Sequence, residues 1–357
     1  MRNQHFKSFQ PAKVRLLVKL PNFIPQFERS VMKNSHKLTL YSVAVIILLI
    51  IVVISYITLA LPNVGEPENI KVELTVSRVA RGEYLVNHVA LCVDCHSTRD
   101  WAKFAAPMKT AGIGGGGEVF DSKVGFPGEV HVPNITPYNL KSWTDGELFR
   151  AITTGERKDG SAIFPLMPWP YYSKMSREDV YAIIAYIRTL KPVNTTYEKA
   201  KLNFPLNILV HTMPDKAALG TVPPASDTVK YGEYICTMAG CIECHSKSSS
   251  GKITPGMEFA GGHEYLINGI VLRSSNITPD KATGIGAMKE SDFVDIFKSF
   301  KDPAKADSVQ HGGYQTIMPW YDYAGMTETD LKAIYKYLKT VKPVKNKVVT
   351  FYQYNKD

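Results

Sequence analysis

Cys92-Val93-Asp94-Cys95-His96 and Cys241-Ile242-Glu243-Cys244-His245 are one five-residue pattern written twice, 149 positions apart, and together they use four of the five cysteines in 357 residues. The surroundings repeat as well. Arg81-Gly82-Glu83-Tyr84-Leu85 precedes the first copy and Tyr231-Gly232-Glu233-Tyr234-Ile235 the second. Asn134-Ile135-Thr136-Pro137 is matched by Asn276-Ile277-Thr278-Pro279, and Met167-Pro168-Trp169 by Met318-Pro319-Trp320. Recurrence of whole landmarks at one offset marks a duplicated structural unit. The first module is expected over 79–193 and the second over 226–345, with a polar, proline-bearing linker at 194–225 and a tail at 346–357.

Each module is expected to open and close with a helix, which makes the exported part mainly α. Ser176 and Thr327 stand three residues before Asp179 and Asp330, where a hydroxyl caps exposed amides and an acid meets the positive end of the helix dipole. Apolar residues then follow at helical spacing, with Ile183, Ile184 and Ile187 in one copy and Ile334, Tyr337 and Leu338 in the other. Lys191-Pro192 and Lys342-Pro343 stop both helices, since proline cannot continue the hydrogen-bond ladder.

Upstream, residues 38–61 contain no charge and include the apolar run from Val43 to Ile54. A helix of that length spans roughly 36 Å, enough for a hydrocarbon core of about 30 Å. Its apolar stretch is longer than a cleaved signal peptide uses, so it is expected to stay as a transmembrane anchor. The net charge of +9 is concentrated before it: residues 1–37 hold eight Lys/Arg against Glu28, leaving +2 for the rest. By the positive-inside rule that basic tail remains in the cytoplasm, at the lipid surface, and the modules lie across a bacterial inner membrane, joined to the anchor by a linker at 62–78. The charge is topological, and nucleic acid is not an expected partner.

C-x-x-C-H is the attachment signature of c-type haem. Two thiols three residues apart each add to one vinyl group of the porphyrin, and the adjacent histidine ligates the iron. Two covalently bound haem c groups are therefore expected, at Cys92, Cys95 and His96 and at Cys241, Cys244 and His245. A zinc site, a thioredoxin-like pair or disulfides would use the cysteines but leave a histidine after each pair unexplained. Cys236 is left over and reads as a buried, inert thiol.

Three methionine pairs compete for the far side of the iron: Met108 with Met257, Met167 with Met318, and Met175 with Met326. The first follows its histidine too closely for an easy route around the ring. The third sits just before helix caps, where a hydrophobic staple is the simpler role. Met167 and Met318, in proline-bearing loops, are the expected distal ligands; His131, His311 and the first methionine pair stay open. Trp169 and Trp320 are expected to pack rather than relay electrons. The Asn-Ile-Thr-Pro stretches match a glycosylation sequon but are expected to form turns, and 112–117, rich in glycine, reads as a flexible loop.

These residues resemble tandem class I-type cytochrome c domains, as in membrane-anchored dihaem cytochromes c. Asn276-Ile277-Thr278-Pro279-Asp280, Thr283-Gly284-Ile285-Gly286 and Asp292-Phe293 look like the cytochrome c subunits of alcohol and gluconate dehydrogenases. The resemblance implies His96 and His245 as proximal ligands and Met167 and Met318 as distal ones. It departs from those subunits in having two modules rather than three and an anchor at the N-terminal end. The expected role is electron transfer between a dehydrogenase or quinol-oxidising complex and an acceptor such as a terminal oxidase, with no catalytic residues of its own. A dihaem peroxidase is the rival, and matching methionines in both modules weigh against it.

Overall fold

The computed structural model describes residues 25–353, apart from 250, 268–269 and 311–312. Most of the expected cytoplasmic tail, and His311, lie outside the described residues. Helix α1 runs Pro25–Ala60, and its segment His36–Ala60 is long and apolar enough to cross a membrane. Leu48, Ile50 and Val52 on it are each more than half exposed, as a lipid-facing surface requires.

Residues 57–357 form one compact unit. In chain order the first module contributes α2 (Val76–Tyr84), α3 (Cys92–Cys95), β1 (Val119–Phe120), β2 (Gly128–His131), α4 (Pro137–Leu140), α5 (Asp145–Thr154), α6 (Trp169–Tyr172) and α7 (Arg177–Thr189). Strand β3 (Lys201–Leu202) and α8 (Leu206–Leu209) lead into the second. That module holds α9 (Thr228–Met238), α10 (Cys241–Cys244), β4 (Ser248–Ser249), β5 (Lys252–Ile253), β6 (Glu264–Ile267), β7 (Ile270–Arg273), α11 (Glu290–Lys298), α12 (Trp320–Tyr323), α13 (Glu328–Leu338) and β8 (Phe351–Gln353).

The caps form as the chemistry dictates. Ser176 Oγ accepts from the Asp179 amide at 3.1 Å and Thr327 Oγ1 from the Asp330 amide at 3.1 Å. Opening and closing helices then cross in each module, α2 against α7 and α9 against α13. The repeated glycine allows the approach. A Cβ on Gly82 would stand 1.9 Å from the Ala182 carbonyl oxygen, and one on Gly232 would stand 2.0 Å from that of Ala333. Behind these crossings Leu85, Ile183, Ile184, Ile235, Leu331 and Leu338 are fully buried in one continuous apolar core. Each such side chain contributes roughly 1.5–3 kcal/mol by leaving water.

The modules differ where their spacing differs. Eight positions separate Tyr84 from Cys92, but seven separate Tyr234 from Cys241. The extra residue is absorbed by one π-helical turn at Leu85–Val89, the usual way a helix takes a single insertion. It aims His88 at the second module, where its Nδ1 lies 2.9 Å from the Asp322 carbonyl. Leu91 adopts φ +51° just before Cys92, at the place where the second module has Gly240 at φ +64°.

The stretch 194–225 lies along the first module: β3 pairs antiparallel with β2, and Gly220 bridges to Ser176. The tail at 346–357 contributes β8, which pairs antiparallel with β7. Residues 112–117, expected to be flexible, are instead packed. The Gly114 amide donates to Ser97 Oγ at 2.9 Å and the Gly116 amide to the His96 carbonyl at 2.8 Å. Positive φ at Gly112, Gly114, Gly116 and Gly117 lets the loop fold tightly around the histidine backbone.

Candidate cofactor site

Each C-x-x-C-H run is a single helical turn entered from a left-handed residue, Leu91 or Gly240, with the histidine as its C-terminal cap. Positions i and i+3 share a helix face, so both thiols of a pair present together. Burial pushes Cys92 and Cys95 up to about 12. Cys236 is buried against Cys241; their hydrogen bond, and then burial, push its thiol well above the ordinary range.

Both histidines are oriented by a backbone carbonyl. His96 Nδ1 lies 2.7 Å from the Pro133 oxygen and His245 Nδ1 2.8 Å from the Ser275 oxygen. A carbonyl only accepts, so Nδ1 carries the proton and Nε2 keeps its lone pair for a metal. Burial lowers the pKa of both imidazoles, which favours the neutral, ligating form.

The Asn-Ile-Thr-Pro repeat holds those carbonyls in place. Asn134 Oδ1 accepts from the amide and hydroxyl of Thr136, at 2.8 and 2.7 Å, and Asn276 Oδ1 does the same with Thr278 at 2.9 and 2.7 Å. Their Nδ2 groups donate to Val193 at 2.7 Å and Val344 at 2.8 Å, just past each closing helix. Asn134 and Asn276 are 1% and 5% exposed, so both work as internal turn residues.

In the second module a cavity of about 380 Å³ brings Cys241, Cys244, His245 and Met318 together. Its walls are mostly apolar, among them Ile277, Ile285, Phe293, Tyr323, Ile334 and Leu338. Two thiols, one oriented imidazole and a thioether around an apolar slot fit a flat hydrophobic ring with iron at its centre. Met326 and Met288 also reach this cavity. Met326 is 1% exposed in the core immediately before its helix cap, the staple position, and the carbonyls of Met288 and Met326 are engaged by Tyr335 and Lys298. Met288 escaped sequence reasoning because it has no counterpart in the first module's repeat.

Met167 and Met318 sit in matching turns. The Trp169 amide donates to the Met167 carbonyl at 2.7 Å and the Trp320 amide to that of Met318 at 2.8 Å. Trp169 Nε1 donates to the Ile163 carbonyl at 3.0 Å, and Trp320 stacks on Phe300 with centroids 5.1 Å apart. Met108 is instead bridged to Arg99 in a loop. His131 pairs with Glu129 at 2.7 Å in a group that also includes Glu198.

The cytochrome c family model matches residues 229–342. The chain is 28% identical over 282 residues to the cytochrome c subunit of quinone alcohol dehydrogenase from Gluconacetobacter polyoxogenes, covering 74% of this chain and 56% of that one. It is 26% identical over 283 residues to the gluconate 2-dehydrogenase cytochrome c subunit of Pantoea cypripedii, covering 74% and 59%. A dihaem cytochrome c-type protein of Cereibacter sphaeroides is 27% identical over 203 residues, covering 53% and 64%. The chain thus spans little more than half the length of the dehydrogenase subunits it matches. The cytochrome c match over residues 229–342 falls on the segment that lines the cavity holding Cys241, Cys244 and His245, so the second module is similar to a cytochrome c domain.

Proposed function

We propose that the chain carries two covalent haem c groups, at Cys92 and Cys95 and at Cys241 and Cys244, and works as a membrane-anchored carrier of single electrons. His96 and Met167 would hold one iron, His245 and Met318 the other. The groups supply reversible one-electron chemistry when bound. The protein's own residues do the tuning. Carbonyl-held imidazoles fix the proximal ligand, a thioether favours the reduced state and raises the potential, and apolar walls keep water off the ring. The carrying observation is the single cavity lined by both thiols of one pair, His245 and Met318.

The relatives' printed roles, cytochrome subunits of alcohol, gluconate and fructose dehydrogenases, support a dehydrogenase as electron donor. The apolar segment His36–Ala60 supports anchoring in the bacterial inner membrane, with residues 1–37 in the cytoplasm and both modules outside. A quinol-oxidising complex as another source, or a terminal oxidase as acceptor, is compatible with this arrangement. The test is a haem count on denatured protein from its native host, followed by redox titration. Two attached haems, falling to one in Cys95→Ala or Cys244→Ala, are expected. A high-spin ferric centre with peroxide turnover would overturn the carrier reading in favour of a peroxidase.

A further inference from the structure

We infer that Gln315 is a positioning residue through which the first module holds the Met318 turn of the second, so that the second centre's potential depends on the first module. The inference rests on Met318 being a distal ligand, as proposed above. The loop that begins three residues after His96 leaves its own module. The Phe104 amide donates to the Asp307 carbonyl at 2.8 Å, and the Val309 amide donates to that of Ala102 at 2.7 Å. Phe104 stacks on Phe300 and Tyr314 of the second module, with centroids 6.2 and 5.7 Å apart.

Gln315 closes the seam. It is 4% exposed, and its Nε2 donates to the Lys103 carbonyl at 2.9 Å and more weakly to that of Trp101 at 3.4 Å. Its Oε1 accepts from the Ala105 amide at 2.8 Å and from the Thr316 amide at 2.9 Å. Thr316 Oγ1 in turn accepts from the Met318 amide at 3.1 Å. One buried amide group therefore joins the first module's loop to the turn that aims the thioether, and Gln315, Thr316 and Met318 all line the second cavity.

Ala105 and Ala106 sit at φ +58° and +41°, a conformation non-glycine residues rarely adopt. Such backbone persists only where surrounding contacts over-determine it, and the bond from Ala105 to Gln315 is one of those contacts. The corresponding turn in the first module is held from within, by Ile163 to the Gly155 carbonyl at 2.7 Å and Met167 to that of Phe164 at 3.2 Å. The Met318 turn is therefore held in part by the first module's loop.

The test uses the full-length holoprotein, with redox titration of wild type, Gln315→Ala and Met318→Leu. Gln315→Ala is expected to keep both covalent haems and the first centre's potential. At fixed poise the second centre should move at least tenfold toward the oxidised form, 59 mV for a one-electron couple. If Met318→Leu lowers one potential while Gln315→Ala moves neither, the positioning role is overturned and the ligand reading stands. If Met318→Leu moves neither, the ligand reading itself fails and the inference falls with it. Should Gln315→Ala not accumulate, Phe104→Leu on the first module's side must shift the same single centre; unchanged potentials there overturn the proposal.

Discussion

The Tyr84 hydroxyl donates to Asp330 Oδ2 at 2.5 Å, so the opening helix of the first module ends on the cap of the second module's closing helix. The reciprocal bond is present too. Tyr234, the repeat partner of Tyr84, donates to Asp179 Oδ2 at 2.7 Å. Each hydroxyl also accepts an amide of the cap residue opposite, from Thr327 at 3.1 Å and Ser176 at 3.0 Å. The duplicated tyrosines thus clamp the modules about a pseudo-twofold relationship, which accounts for Glu-Tyr standing in both copies.

Removing either hydroxyl should loosen the clamp unequally. Asp179 keeps a two-point ion pair with Arg81, at 2.8 and 3.0 Å, after Tyr234→Phe. Among the described residues, Asp330 would keep only the Tyr231 hydroxyl at 3.0 Å after Tyr84→Phe. Hydrogen bonds to charged groups contribute about 1.5–3 kcal/mol, and Tyr84→Phe is expected near the upper end with Tyr234→Phe near the lower. Urea midpoints of the two variants in detergent measure this, and equal losses would refute the asymmetry.

The helix crossings predict a sharp contrast between glycines. Gly82→Ala or Gly232→Ala drives a methyl into a backbone carbonyl and should cost about 3 kcal/mol or more, since a backbone oxygen cannot swing aside. Gly160→Ala, at φ +78° in open space, should cost only about 1–2 kcal/mol of backbone strain. Thermal unfolding of the three variants ranks them, and a tolerated Gly232→Ala would show that α9 and α13 do not cross as closely as described.

Much of this architecture is readable from sequence because it is local. Ser176 and Thr327 announce their helices with short-range cap chemistry, and the Cys-His runs encode a turn within five residues. What escapes is set by contacts distant in sequence. Gln315 looks like an ordinary polar loop residue until residue 105 is brought beside it, and Asp330 looks like a helix-dipole acid before Tyr84 arrives. The glycine loop at 112–117 owes its packing to the same kind of contact, since its partners include Val132 and the His96 carbonyl. The π-turn was legible in principle, as a one-residue mismatch between copies, and needed only the two spacings compared.

The turn asparagines give a third expectation. Asn276→Asp preserves shape and keeps the bonds from Thr278, but loses the donor to Val344 and sets a carboxylate against that carbonyl. Leaving such a buried group mispaired costs about 1–3 kcal/mol, and the disturbance reaches Ser275, whose carbonyl orients His245. Lower stability with a shifted spectrum of the second centre alone is expected. Intact mass spectrometry should meanwhile find no glycan at Asn134 or Asn276, both being internal.

The acids between the modules predict how stability responds to pH. Asp322 is raised from its ordinary 3.8 to about 8, first by burial and then by the neighbouring Asp94, against the opposing pull of Arg99. Arg99 is already engaged, lying 3.3 Å from Asp94 and 3.7 Å from Glu118, so it serves three acids at once. A carboxyl with a raised folded pKa holds its proton after the unfolded chain has released it. Below about pH 4 the group is protonated in both states and carries no penalty; as pH climbs from there toward 8, folding is progressively disfavoured, and beyond 8 the loss is complete. Asp322→Asn cannot ionise and should flatten that slope, leaving the variant more stable than wild type at pH 8 and little changed at pH 4. Urea midpoints across this window decide the matter. Parallel pH profiles for the two proteins would mean that Asp322 is ionised throughout and that Arg99 neutralises it fully.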